Sequence, residues 1–128
     1  MDEKWGKTTF DDTLSLVKIV WHIDCTSENY RYSYNKIIDF QRTTPANYFI
    51  SDIRDQRVIA PEDRKWFEKE IIPKAIKQGL KKSAVITSGG AFKQYYMNFI
   101  LSTTKKFGLP LKLFGNEEDA INWLTSKN

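Results

Sequence analysis

From residue 14 to the end of the chain, apolar runs of strand length take turns with amphipathic stretches of helical length, and this alternation narrows the admissible folds more than any other feature. Parallel neighbouring strands need a crossover, helices supply it, and the crossover is right-handed in nearly every case. The pattern therefore predicts an α/β fold with a mixed, mostly parallel five-stranded sheet, an N-terminal hairpin and four helices. At 128 residues the chain suits one domain, residues 1–128, with no internal repeat, low-complexity tract or Pro/Gly-rich linker to divide it.

The elements follow from local chemistry. Residues 7–10 and 14–22 are rich in β-branched and aromatic types, and the turn-forming Asp11-Asp12-Thr13 between them predicts a hairpin. In its second strand Leu14 and Leu16 point to one face, and with Val17, Ile19 and Trp21 apolar residues fall on both sides, as in an interior strand. Thr26 or Ser27 offers an N-cap to a first helix whose Tyr30, Tyr34, Ile37 and Ile38 recur at helical spacing. That helix ends near residues 41–44, before Pro45. Residues 48–50 form a short buried strand, residues 52–57 a polar loop, and a second helix begins at Pro61 with Glu62 and Asp63 in its positive first turn. Pro73 inside this helix removes a backbone donor and predicts a kink or break. Residues 84–87 form the next strand, and Ser88-Gly89-Gly90 leads into a helix carrying Phe92, Tyr95, Tyr96, Phe99, Ile100 and Phe107. Gly108 and Pro110 stop that helix, residues 111–114 form the last strand, and Asn116 caps a final helix that turns Ala120, Ile121 and Leu124 inward.

Composition excludes several classes of function. Lys+Arg 20 against Asp+Glu 16 leaves +4, a mild excess that does not call for nucleic acid as a partner. Basic residues at Lys74, Lys77, Lys81 and Lys82, and at Lys105, Lys106 and Lys112, are read as complements to helix C-termini. Cys25 is the only cysteine, so no intrachain disulfide forms, and the charged opening Met1-Asp2-Glu3-Lys4-Trp5 lacks the apolar core of a signal peptide. No apolar run approaches the ~20 residues of a membrane span, and the expected location is cytoplasmic. One histidine, His22, and one cysteine fall short of a zinc ligand set, and no carboxylate pair stands out as general acid and base. The chain therefore reads as a non-enzyme without metal or cofactor.

The block Tyr48-Phe-Ile-Ser-Asp52-Ile-Arg54-Asp-Gln-Arg-Val-Ile-Ala-Pro61-Glu-Asp63-Arg-Lys-Trp66, then Ile72-Pro73 and Lys82-Ser-Ala84-Val-Ile86, resembles the bacterial STAS-like family, as does the closing stretch from Phe114 through Ala120-Ile-Asn-Trp123-Leu124. The resemblance implies a STAS-like fold and a regulatory module. Anti-sigma-factor antagonists of that superfamily bind a partner kinase and are switched by phosphorylation at a helix N-terminus, and other members are similar to CRAL-TRIO lipid-binding domains. The switch position falls at Ala60-Pro61-Glu62, where there is no hydroxyl to phosphorylate; Glu62 and Asp63 can occupy the electrostatic place of a phosphate.

In a parallel sheet the loops after the strand C-termini line the usual crevice. Asp52, Arg54, Asp55 and Arg57 follow one strand, and Ser88, Gly89 and Gly90 follow another, while Glu62 and Trp66 lie on the adjoining helix. Free N–H groups and an arginine fork there suit an anion. These residues are the expected binding surface. The first functional reading is a non-catalytic STAS-like module that engages a protein partner in bacterial signalling or stress response through residues 54–66. The alternative is a domain that holds a lipid or small anionic metabolite between sheet and helices.

Overall fold

Right-handed crossovers and short connections predict a layered sheet, and the computed structural model, which describes residues 2–23, 25–56, 59–88 and 93–126, has that form. Strands β1 (Asp2–Glu3), β2 (Gly6–Asp11), β3 (Leu16–Trp21), β4 (Tyr48–Asp52), β5 (Lys82–Ile86) and β6 (Leu111–Phe114) lie side by side in chain order. The first three pair antiparallel and the last four parallel. The expected five strands become six. The added β1 is two polar residues held by backbone pairing alone, Asp2 with Lys7 and Glu3 with Gly6, so no apolar alternation announces it.

Helix α1 (Ser27–Thr43) starts at Thr26, whose hydroxyl accepts from the Asn29 N–H while the Asn29 side chain accepts from the Thr26 N–H, a reciprocal cap. Helices α2 (Pro61–Trp66) and α3 (Ile72–Lys77) are joined without interruption by a π turn over Phe67–Ile71. Its wide hydrogen bond runs from the Ile72 N–H to the Phe67 carbonyl. Proline lacks an N–H and its ring crowds the carbonyl four residues back, so the turn before Pro73 opens into a π turn where a kink or break was expected. Helix α4 (Lys93–Phe107) stops at Gly108, whose φ of 72° suits glycine. Phe92 and the side chains of Tyr95, Tyr96 and Ile100, expected on its apolar face, lie outside the described residues. Helix α5 (Glu117–Leu124) is capped by Asn116, which accepts from the Asp119 N–H. With α2 and α3 counted as one body, four helical bodies are described.

Period-two alternation along the strands sends successive side chains to opposite faces. On one face Val17, Ile19, Trp21 and Val85 join Tyr30, Tyr34, Ile37, Ile38 and Ile71 in the larger core, with Phe49, Leu111 and Leu113 packed against it. On the other, Leu16, Ile50, Ala84 and Ile86 meet Ala120 and Leu124 of α5. Helices α1 to α3 and Phe99 of α4 thus belong to the first face, and α5 to the second. Lys82 points to the second face, where its ammonium donates to the Trp123 and Ser126 carbonyls at the α5 C-terminus, at 3.0 and 3.3 Å, and stands 5.0 Å from the Trp123 ring centroid. It complements that helix end from a neighbouring strand.

Trp21 is fully buried at the centre of the larger core. Its ring stacks on Tyr30 at 5.4 Å, lies 5.5 Å from Tyr34, and its indole N–H donates to Ser51 Oγ at 3.2 Å. Across the hairpin Trp21 pairs with Gly6, where an added Cβ would sit 2.8 Å from the Val20 carbonyl oxygen, so the close approach of β2 to β3 requires glycine. Thermal or urea unfolding should show Trp21→Ala destabilised by about 3–5 kcal/mol and Gly6→Ala by about 1–3 kcal/mol through forced backbone shift. A neutral Gly6→Ala would contradict this hairpin register.

Candidate functional site

The residues expected at the strand ends separate onto the two faces of the sheet. Asp52 pairs in register with Val20 and Ile86, so its side chain follows Ile50 and Ile86 onto the α5 face. Although only 5% exposed, its carboxylate is fully engaged: Arg54 donates its backbone N–H and Nε to Oδ1 at 3.2 and 3.0 Å, and Nη2 to Oδ2 at 2.7 Å. The hydrogen bonds that Arg54 donates to Asp52, and then the Asp52 charge, raise the Arg54 pKa further. The arginine fork expected to meet an anion is therefore closed on its own neighbour. Asp55, Glu62 and Ser88 are exposed. Arg57, Gly89 and Gly90 lie outside the described residues.

On the opposite face, the α2 start is fastened to α1. Asp63, 3% exposed, accepts from Ser27 Oγ at 2.7 Å and from Arg31 Nε at 2.8 Å, and the Arg31 guanidinium lies 5.1 Å from the Trp66 ring centroid. Trp66, expected on the binding surface, is half-buried beneath this cation and packs against the larger core. The charge at the helix start is thus shared: Glu62 is open to solvent and Asp63 binds α1.

Cys25, just before the α1 cap, is half-buried, and its thiol donates to the Thr26 carbonyl at 3.4 Å. Burial, and secondly the negative charge of Asp63, push its pKa from 9.0 up to about 11. The thiolate is the nucleophile, so the neutral thiol at pH 7 is a poor one. Among the described residues no three His, Cys, Asp or Glu side chains are grouped to hold a metal, and no helix is long and apolar enough to cross a membrane.

Between the larger face of the sheet and the helices over it, where the alternative reading put a ligand, lies a partly open cavity of about 90 Å³ whose lining was not singled out in the sequence. Its floor includes Val17, Ser51, Ser83 and Val85, its α1 wall Tyr34, Ile37 and Ile38, and its roof Phe67, Ile71 and Ala75, with Phe99 and Thr103 from α4 beside them. The space has a local origin. Adjacent strands β4 and β5 place the small Ser51 and Ser83 at inward positions, both buried, where Val, Ile or Leu would otherwise fill the layer. Above them Ala75 is small and the π turn widens the helix. Ser51 Oγ accepts from the Trp21 indole N–H. Thr103, 1% exposed, borders the cavity, and its hydroxyl has no hydrogen-bond partner among the described residues. The legible signal was an inward-facing serine in each of two central strands.

Comparison with models of known protein families and with curated proteins finds no match to this chain.

Alkylation of Cys25 by iodoacetamide should be slow at pH 7–8 and keep accelerating until about pH 11, beyond the point at which an ordinary thiol levels off. Asp63→Asn should increase the rate at pH 9 by removing the nearby negative charge, and should destabilise the domain by about 1.5–3 kcal/mol through the lost charged hydrogen bonds. A rate that levels off near pH 8.5 would refute this burial of the thiol. The linkage has a defined sign: the folded state favours the protonated thiol, so this contribution is intact below pH 9 and declines as pH rises toward 11.

Proposed function

We propose that this domain binds a small apolar molecule in the cleft between its sheet and its α1–α4 layer, as a carrier or sensor rather than an enzyme. The observation that carries the reading is the cavity itself: aromatic and aliphatic walls with few polar atoms, which is the usual composition of a small-molecule site. Its size sets the scale of the occupant. An engineered apolar cavity of about 150 Å³ takes up benzene or xenon, so about 90 Å³ suits a single small ring or a short branched chain, with room for substituents toward the open side. The anionic ligand expected at the strand ends is less well supported, because Arg54 is closed on Asp52.

The fold in this reading is STAS-like. An N-terminal hairpin leading into parallel strands with intervening helices, and a helix starting at Ala60-Pro61-Glu62, support that assignment together with the quoted sequence blocks. A second reading, a STAS-like regulatory module that engages a protein partner through residues 54–66, is favoured by one feature. Glu62 presents exposed charge at a helix start that Asp63 fastens to α1, and Asp55 is exposed in the preceding loop. The two readings are compatible, since α2 both carries that surface and contributes Arg64 to the cleft wall.

Benzene and xenon, added to the purified domain, should each raise its thermal midpoint and perturb NMR signals of Ile37, Ile71 and Phe67. Ser83→Leu, which fills the floor of the cleft, should remove both effects while leaving a folded domain with a midpoint near that of the parent. Absence of any shift with either probe in the parent protein would end the cavity reading. Loss of partner capture on substitution of Glu62 or Asp55, with probe binding intact, is the outcome expected of the second reading.

A further inference from the structure

We infer that the ligand of this cleft carries one uncharged hydrogen-bonding group, a hydroxyl or carbonyl on an apolar ring or chain, and that Thr103 is its anchor; this rests on the cavity reading above. Thr103 lies on α4, four residues after Phe99, so the two share a helix face, and both border the cavity. Its side chain is 1% exposed and its hydroxyl lacks a hydrogen-bond partner among the described residues. A threonine hydroxyl in a helix usually bonds back to a preceding carbonyl, and a buried one left unmade destabilises the fold. Valine has nearly the same shape without that cost. An unpaired hydroxyl at the wall of a mainly apolar space is thus a feature that a ligand can complete and that packing alone does not call for.

The surrounding chemistry selects an uncharged partner. Among the other polar groups in the wall, Ser51 Oγ accepts from the Trp21 indole N–H, Gln41 accepts from the Ala46 N–H at 2.8 Å, and Tyr30, Tyr34 and Gln56 are engaged within the protein. The single charged side chain among the described lining residues is Arg64, whose guanidinium lies 5.1 Å from the Phe99 ring centroid. Arg64 is half-buried with its Nη2 enclosed, and its guanidinium is already engaged within the protein, over the Phe99 ring. A carboxylate reaching Thr103 would lose its water for one neutral donor, which is unfavourable, whereas a phenol, alcohol or ketone exchanges one hydrogen bond for another. A hydroxyl both donates and accepts, so Thr103 serves either partner type.

Benzene, phenol and benzoate, titrated into the parent domain and Thr103→Val by calorimetry, test the assignment. Phenol should bind the parent roughly three- to tenfold tighter than benzene, the gain from one neutral hydrogen bond. Thr103→Val should abolish that preference, bind benzene at least as well as the parent, and melt about 2 °C or more above it because an unpaired buried hydroxyl has been removed. Equal binding of phenol and benzene, a phenol preference that survives in Thr103→Val, or a lowered melting point in that variant would each overturn the anchor while leaving the cavity reading intact. Benzoate binding tighter than phenol would also overturn it, in favour of a charged ligand. No binding of benzene or phenol to the parent would instead remove the cavity reading, and the anchor with it.

Discussion

Strands that lie in chain order and run parallel leave little freedom to the helices between them. The crossovers from β3 to β4, β4 to β5 and β5 to β6 all advance in the same direction, and with the right-handed sense usual for parallel strands their helices collect on one face. The other face is left to α5, which follows the last strand. That asymmetry organises the molecule. One face carries a crowded helical layer and the larger core, while the other is half-covered, with Lys7, Thr9 and Asp11 exposed beyond the reach of α5. Lys18 bridges the boundary by donating to Glu117 at 2.9 Å.

Within the crowded layer, Trp21 sets the spacing between sheet and helix. Its ring is stacked on Tyr30 and close to Tyr34, and Tyr34 in turn lies 4.7 Å from Phe67. Rings of this size hold α1 and the π turn off the sheet, and where the strand beneath offers serine the gap is not filled. The hydrogen bond from Trp21 to Ser51 joins the two effects: the serine that leaves room is also the residue that satisfies the buried indole. A bulkier residue at position 51 would fill the cavity floor and orphan the indole N–H.

The local grammar of the chain was legible and its cross-layer geometry was not. Thr26, Asn116, Pro61 and Gly108 each act at a single helix end through chemistry that reaches only three or four residues, and each stands where the sequence indicated. Tyr32, two residues from each of the buried Tyr30 and Tyr34 and so off their helix face, projects to solvent and accepts from the Lys36 ammonium at 3.1 Å. The candidate site was only partly legible because convergence at strand ends says nothing about which face a side chain takes. Asp52 and Trp66 lie close in sequence, but strand parity sends the first toward α5 and the helical layer holds the second on the opposite face. The π turn was foreshadowed by Pro73, yet whether a helix breaks or widens depends on the packing of Phe67 and Ile71 against α1, which is a long-range fact.

The cavity has an energetic meaning that follows from its cost. Unfilled volume lowers stability by roughly 24 cal/mol per Å³, so about 90 Å³ corresponds to about 2 kcal/mol in a domain whose total stability is of order 5–15 kcal/mol. The Thr103 hydroxyl adds a further unfavourable contribution of about 1–3 kcal/mol. Both defects sit in one layer, border the same space and can be relieved by one molecule. A chain that packs Trp21, Ile19, Ile50 and Ile86 with almost no exposure elsewhere is capable of closing its core. The imperfection is therefore local: it lies under a π turn, a backbone feature associated with functional positions, and an occupant supplying one hydrogen bond and one small apolar body would restore what the fold leaves unmade.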